Sequence, residues 1–219
     1  MRTALLLALS VWLVPGLAMA QQYKSEYRVF VIKVEDKDSG SYSQTITTYG
    51  EGTTDVASKA DVKVKVLGMS FQYAYRANER WKENKLQYLA SASNDDGKPH
   101  TLMVTAENNQ LKVKEGGKER AASPTVWTST YWTLPMADRR SQNVIVLDAD
   151  TGIEHQLTMQ MLGKENLMIA GQRVPCTHYK LSGTLQVDLW FDEGDRLIRR
   201  DMIRKGRRTS MTLVSATVK

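Results

Sequence analysis

Cys176 and His178 are the side chains best placed for chemistry. They stand two apart in a segment that reads as a strand, so they point the same way and could share a metal ion or a proton-transfer task. Two ligands are too few for a metal centre, and His100 and His155 have no spacing that recruits them. A cysteine nucleophile also needs a base and a third group that orients the base. A small buried thiol beside a surface or satisfied histidine is the favoured reading, so no catalytic residue, metal or cofactor is expected. Asp36-x-Asp38-x-Gly40 and Asp148-x-Asp150-x-Gly152 begin as calcium loops do, with alternating carboxylates around a glycine. Each lacks the bidentate glutamate that closes such a shell, and hairpin turns explain them better. No phosphate-cradling glycine loop, zinc-protease helix or G-x-S-x-G elbow is present in the sequence.

Two other groupings suit binding rather than catalysis. Arg196, Arg199, Arg200, Arg204, Lys205, Arg207 and Arg208 form the densest basic cluster, partly neutralised by Asp192, Glu193, Asp195 and Asp201. On an edge hairpin such charges block unwanted strand pairing; alternatively Arg199, Arg200, Arg207 and Arg208 contact an anionic surface. Aromatic and methionine side chains form the second grouping. Trp127, Tyr131, Trp132, Met159, Met161, Tyr73 and Tyr75 are the candidate lining of an apolar ligand site, with Phe71, Trp81, Met168 and Trp190 of similar character. The plainer alternative is a filled core.

Strands must position all of these. Val56, Ala60, Val62, Val64 and Val66 alternate with Asp55, Lys59, Asp61, Lys63 and Lys65. Phe71, Tyr73, Tyr75, Ala77 and Trp81 share a face opposite Gln72, Arg76, Asn78 and Arg80. Leu157, Met159 and Met161, and later Leu185, Val187, Leu189 and Phe191, repeat the pattern. Period-two alternation of this kind marks strands with one buried face, as in antiparallel sheets. Turn chemistry punctuates them at Asp36-Lys37-Asp38-Ser39-Gly40, Asn94-Asp95-Asp96-Gly97, Glu107-Asn108-Asn109, Gly163-Lys164-Glu165-Asn166, Asp192-Glu193-Gly194-Asp195 and Lys205-Gly206. The expected fold is all-β: an antiparallel meander of about ten to twelve strands, forming a curved sheet or open barrel. Residues 121–140 break the alternation, with Ser123-Pro124 at the start, crowded aromatics, and Leu134-Pro135 near the close. A loop or short helix is expected there, plugging an open end of the sheet.

Residues 1–20 have the three parts of an export signal: Arg2, an apolar run over residues 4–14 too short to span a bilayer, and Ala18-Met19-Ala20. Cleavage before Gln21 is expected, leaving a single β domain over residues 21–219 with no lipid-accepting cysteine at its start and no later spanning segment. The formal charge of +6 includes Arg2, the one charged residue among the first twenty, so the mature chain carries +5. Such a balance suits solubility or contact with anionic lipid head groups or acidic glycans. Cys176 is the only cysteine, so no internal disulfide is available in an oxidising compartment.

Arg173-Val174-Pro175, Tyr179-Lys180-Leu181-x-Gly183 and Val187-Asp188-Leu189-Trp190-Phe191-Asp192, together with Tyr131-Trp132 after a proline-containing loop and Glu79-Arg80-Trp81 at a strand end, make the chain similar to bacterial exported proteins of domain-of-unknown-function family 6134. Thr133 stands where the resemblance leads one to expect an asparagine nearby. The resemblance implies a periplasmic, meandering β-sheet domain and brings no catalytic residues. The expected function is that of a non-enzymatic periplasmic protein binding an apolar or amphipathic envelope molecule, such as a lipid, near the aromatic loop. The alternative is an envelope interaction or assembly protein that binds another protein through the basic hairpin or an edge strand. No nucleic-acid partner is expected.

Overall fold

Alternation sets the inward face strand by strand. In residues 53–66 the side chains of Val56, Ser58 and Ala60 are buried while Ala57, Lys59 and Asp61 are exposed, and in the next strand Tyr75, Ala77, Glu79 and Trp81 are buried between exposed Ala74, Arg76, Asn78 and Arg80. The computed structural model describes residues 23–66, 69–140 and 142–219. The export signal and the Gln21 cleavage point lie outside the described residues.

Fifteen strands are formed among the described residues: β1 (Tyr23–Val34), β2 (Lys37–Tyr49), β3 (Thr53–Val66), β4 (Met69–Lys82), β5 (Lys85–Asp95), β6 (Lys98–Glu107), β7 (Gln110–Glu115) and β8 (Lys118–Ala122), then β9 (Trp127–Thr128), β10 (Asn143–Leu147), β11 (Glu154–Ile169), β12 (Gln172–Gly183), β13 (Val187–Phe191), β14 (Leu197–Arg204) and β15 (Arg207–Val218). They make one sheet in the order β8-β7-β6-β5-β4-β3-β2-β1-β15-β14-β13-β12-β11-β10-β9. Two meanders are thus zipped together where the first strand pairs antiparallel with the last, Phe30 opposite Leu213 and Ile32 opposite Met211. The one departure from antiparallel pairing is β9, which runs parallel to β10 with Trp127 opposite Val146. The sheet curls so that its β8 edge meets the β10–β11 turn: Arg120 on β8 donates to the Gly152 carbonyl at 2.5 Å, and the Ser123 amide just after β8 donates to Glu154 at 2.8 Å.

The strand count exceeds the expected ten to twelve, and the turns show why. Seven reversals place both central residues in the left-handed region: Glu35-Asp36, Glu83-Asn84, Asp96-Gly97, Asn108-Asn109, Gly116-Gly117, Ala170-Gly171 and Lys205-Gly206. This is the type I′ requirement, whose twist matches that of the flanking strands. At some of them an ordinary residue such as Glu83 or Ala170 takes the first position, so the turn is silent in composition; the turn expected over residues 36–40 instead reverses at Glu35-Asp36, and β2 begins at Lys37. Conversely, Gly163-Lys164-Glu165-Asn166, read as a turn, lies within β11, where a register shift beside Gly163 absorbs the irregularity. Residues 121–140 hold the last two residues of β8, the short β9, one 3-10 turn at Ala137–Arg139, and otherwise irregular chain.

The concave face is filled. Phe30, Leu89, Val104, Val113, Leu147, Leu181, Leu189, Phe191 and Met211 are almost completely buried and belong to one continuous cluster drawn from both meanders. Each such side chain contributes about 1.5–3 kcal/mol by leaving water. Gly40 shows how closely the strands approach. A β-carbon there would lie 2.1 Å from the Asp61 carbonyl oxygen and 2.8 Å from the Val62 α-carbon. Gly40→Ala must push β2 off β3, and urea denaturation should show a loss of about 2 kcal/mol.

Candidate functional site

The irregular segment 123–140 is seated against the sheet by polar anchors. Trp127 enters through the parallel β9–β10 pairing, donates its indole N–H to the Thr133 carbonyl at 2.9 Å, and meets Tyr131 edge-on at 4.8 Å between ring centres. Tyr131 takes a left-handed backbone, φ 47°, which turns the chain back. Arg28 is buried on β1, donates to the Trp132 carbonyl at 2.6 Å, and is neutralised by Glu26 at 2.8 Å. Glu26 also meets Arg196 at 3.0 Å. Its carboxyl titrates below its ordinary range: partial burial opposes this, but the hydrogen bond and charge of Arg28 and the charges of Arg196 and Lys24 outweigh it. Arg140 clamps the far end of the segment, donating to the Pro135 carbonyl at 2.9 Å and to Asp195 at 2.6 Å.

A second set of anchors is built around Glu79. This carboxyl is 2% exposed in the middle of β4, facing inward between Ala77 and Trp81. Its Oε2 accepts from the Trp81 indole N–H at 2.8 Å and from the Thr128 hydroxyl at 2.9 Å. Thr128 and Thr130 share a hydroxyl contact at 2.9 Å. Gln44, fully buried, donates to the Thr130 carbonyl at 3.0 Å and to the Tyr42 hydroxyl at 2.9 Å, and Tyr42 donates to Ser58 at 3.0 Å. Burial pushes the Glu79 carboxyl up from its ordinary 4.5 to about 7, with the threonine and Trp81 donors only partly opposing it. Burial likewise raises Tyr42 to about 12.

Where the anchored segment leaves the sheet, a cleft of about 220 Å³ opens, lined by Trp81, Val126, Trp127, Trp132, Leu134, Pro135 and Met136, with Asn84, Arg140 and Asp195 among its polar groups. Trp81 and Trp132 approach to 5.9 Å at 58°. The side chain that receives the Trp81 indole N–H is Glu79, so the apolar wall and the buried acid are one unit.

The seven aromatic and methionine residues proposed as a lining fall in different places. Trp127 and Trp132 line the cleft, and Tyr131 is buried against Trp127. Met159 is buried in the core, whereas Met161 is 56% exposed. The reason is that β10 begins with Asn143 opposite Thr158, so beyond Thr158 the rest of β11 pairs with β12 alone among the described residues. Tyr73 and Tyr75 serve the 148–152 turn instead: Tyr73 donates to Asp150 at 2.8 Å and Tyr75 to the Ala149 carbonyl at 3.4 Å. Asp148 accepts the amides of Asp150 and Thr151 at 2.8 and 2.9 Å, so the calcium-like spacing here organises a turn. In the other such motif Asp36 pairs with Arg208, Asp38 pairs with Lys33 at 3.4 Å, and Gly40 lies within β2.

The four arginines of the basic cluster do not share one face. Arg199 lies 5.3 Å over the Trp190 ring and pairs with Asp201 at 2.6 Å. Arg200 stands opposite the fully buried Leu189 and Met211 and faces Tyr42 and Tyr131, so it turns inward. Arg207 pairs across the hairpin tip with Arg204. Cys176 and His178 are also separated by role. The Cys176 thiol donates to the Val174 carbonyl at 3.5 Å and is pushed up to about 11, by burial first and by the Asp192 and Glu165 carboxylates after it. His178 stacks on Trp190 at 4.2 Å and meets Asp188 at 2.8 Å and Glu165 at 3.4 Å. Gln44 and Arg28 have no place in the sequence reading, and Glu79 enters it only within the Glu79-Arg80-Trp81 strand end, although it carries a signal: it is the charged residue in phase with Tyr73, Tyr75, Ala77 and Trp81.

The sequence model of the family described as domain of unknown function (DUF6134) matches residues 30–214. The chain belongs to DUF6134. No curated protein matches it. Among solved structures it is similar to a β-barrel-like protein of domain of unknown function DUF1849 from Brucella abortus, at 9% identity and TM-score 0.62, over 91% of this chain and 98% of that one. That likeness extends to the fold alone. A candidate outer membrane lipoprotein-sorting protein domain from Vibrio parahaemolyticus aligns at 8% identity over 90% of this chain and 85% of that one, and a DUF1329 protein from Desulfovibrio piger at 11% over 90% and 86%. Their TM-scores of 0.26 and 0.19 are too low to define a shared fold. Among the described residues of the DUF6134 chain, no helix is long and apolar enough to cross a membrane.

Proposed function

We propose that this DUF6134 chain is an exported, non-catalytic binding protein that takes the apolar end of an amphipathic envelope molecule, such as a lipid, into the cleft beneath the aromatic segment. The observation that carries this reading is the convergence of Trp81, Trp127, Trp132, Leu134 and Met136 on one opening at the rim of a filled sheet. Because the concave face is packed, the ligand is held at the rim rather than swallowed. At about 220 Å³ the cleft is smaller than the roughly 300–1,000 Å³ that encloses a whole small molecule, so it takes a chain end or a ring and leaves the polar part outside. Arg140, Asp195 and Asn84 are then the groups nearest that polar part.

Bromine on an acyl chain quenches indole fluorescence on contact, so a titration with brominated stearate tests the cleft directly. Saturable quenching is expected, and Trp132→Ala should weaken it about tenfold, equivalent to the roughly 1.4 kcal/mol of a lost aromatic contact. Quenching that is non-saturable, or indifferent to Trp132→Ala, would exclude the cleft. Native mass spectrometry of the protein extracted from its own cells should in addition show a bound lipid mass.

A further inference from the structure

The β3–β4 hairpin outruns its neighbours. β2 stops pairing with β3 at Gly40 opposite Val62, and β5 stops pairing with β4 at Asp95 opposite Tyr73. The Asp96 amide, donating to the Gln72 carbonyl at 2.8 Å, makes the last backbone bond to a flanking strand. Four further pairs, from Lys63 opposite Gln72 to Val66 opposite Met69, project roughly 13 Å with no strand on either side among the described residues. The alternation of the sheet continues through them. Val62 and Tyr73 pack against the core, so Val64 and the Phe71 opposite it carry that apolar face past the rim, where Phe71 is 40% exposed. Lys63, Lys65, Ser70 and Gln72 form the other face and are exposed. A two-stranded ribbon is marginal in water by itself, so an apolar face on one calls for a cover.

The charges around the base of the hairpin decide what that cover is. The β1–β2, β5–β6 and β14–β15 turns stand at the same end of the sheet, tied together by the ion pairs of Arg208 with Asp36 and of Lys205 with Asp95. Asp38 is held by Lys33 at 3.4 Å, and Glu35 accepts the Arg208 amide at 2.7 Å. Lys37, Lys63, Lys65, Lys98 and Arg207 make no ion pair among the described residues, and they outnumber Glu35 and Asp96, the carboxylates of these turns that no side-chain cation neutralises. An excess of unpaired cations beside an exposed apolar face matches an anionic lipid surface. We propose that this end of the sheet docks on an anionic bilayer, with the Val64–Phe71 face of the hairpin entering the boundary between head groups and acyl chains. Lys63 and Lys65, on the opposite face, reach the phosphates by snorkelling. A second copy of the chain fits poorly, because it would set the same lysines against one another. Phe71 and Trp81 stand near opposite ends of β4, about 33 Å apart by strand length, so docking leaves the cleft free whatever occupies it.

Vesicle co-sedimentation tests the docking on residues 21–219, which hold every described strand, so that the apolar run at residues 4–14 adds no affinity of its own. Binding should be absent on phosphatidylcholine vesicles, appear when phosphatidylglycerol is mixed in, and fade as salt is raised. Lys63→Gln combined with Lys65→Gln should weaken it about thirtyfold, and Phe71→Ala about tenfold. Lys82→Gln combined with Lys85→Gln removes the same charge at the other end of β4 and should change binding less than about twofold. Cys176 is buried, so Phe71→Cys offers a single accessible thiol for an environment-sensitive fluorophore. That label should brighten and shift to the blue on phosphatidylglycerol vesicles, whereas the same label at Lys85→Cys should not. Binding that ignores phosphatidylglycerol, that persists undiminished without Lys63 and Lys65, or that falls equally without Lys82 and Lys85 would overturn the docking surface. A Phe71 label that stays in water would do the same. Capture by an acidic protein or glycan with no vesicle binding would overturn the lipid in favour of that partner.

Discussion

Glu79→Gln should make the protein more stable than the wild type in mild alkali while leaving the two close together in acid. The sign follows from linkage. Glu79 titrates at about 7 when folded against 4.5 ordinarily, so the folded state holds its proton more tightly than the unfolded chain. Its contribution is fully present below pH 4.5, declines as pH rises through the interval, and is gone above the folded value. A difference of that size corresponds to about 3 kcal/mol, and a group this deeply buried needs no discount for solvent screening. Glutamine has nearly the same shape and can still accept from Trp81 and Thr128, but it cannot ionise. Urea denaturation of both proteins at pH 4 and pH 8.5 would measure the effect. The free-energy difference between variant and wild type should swing by about 3 kcal/mol in the variant's favour between the two pH values. A difference that stays constant would mean that Glu79 does not keep its proton in the fold.

Phe191→Ala should be the most damaging single truncation of the core, at about 4 kcal/mol. Phe191 is fully buried at the end of β13, 6.2 Å from Trp127 and 6.3 Å from Tyr179 between ring centres. It therefore joins the sheet to the aromatic segment. Removing the ring deletes transfer free energy and leaves a cavity that two anchored aromatics cannot collapse to fill. Thermal unfolding should fall sharply, and near-ultraviolet circular dichroism of the folded variant should weaken because Trp127 loses a packing partner. Phe71→Ala is the matched control. Phe71 is 40% exposed near the far end of β4, and its loss should be under about 1 kcal/mol. Equal losses for the two would contradict a core organised around Phe191.

The side-chain period is the property that a strand sequence states most directly, and here it was legible. Val56, Ala60 and Val62 on one strand and Tyr73, Tyr75, Ala77 and Trp81 on the next turn inward as their alternation predicts, because a pleated backbone permits two directions. The irregular aromatic segment was also legible, since nothing in residues 123–140 keeps that period. Turns made by Glu83-Asn84 or Ala170-Gly171 were not, because left-handed backbone at an ordinary residue leaves no compositional mark. Neither was the union of β1 with β15, a pairing between opposite ends of the chain that no local pattern encodes. An antiparallel β protein with one aromatic interruption can be read from the amino-acid order alone, and so can the chain's family. That Glu79 meets Thr128, 49 residues away, and that Arg28 meets the Trp132 carbonyl, 104 residues away, emerges only in the folded chain. Periodicity fixes which way a side chain points; which distant group it then meets depends on how the sheet curls and where the loop is seated.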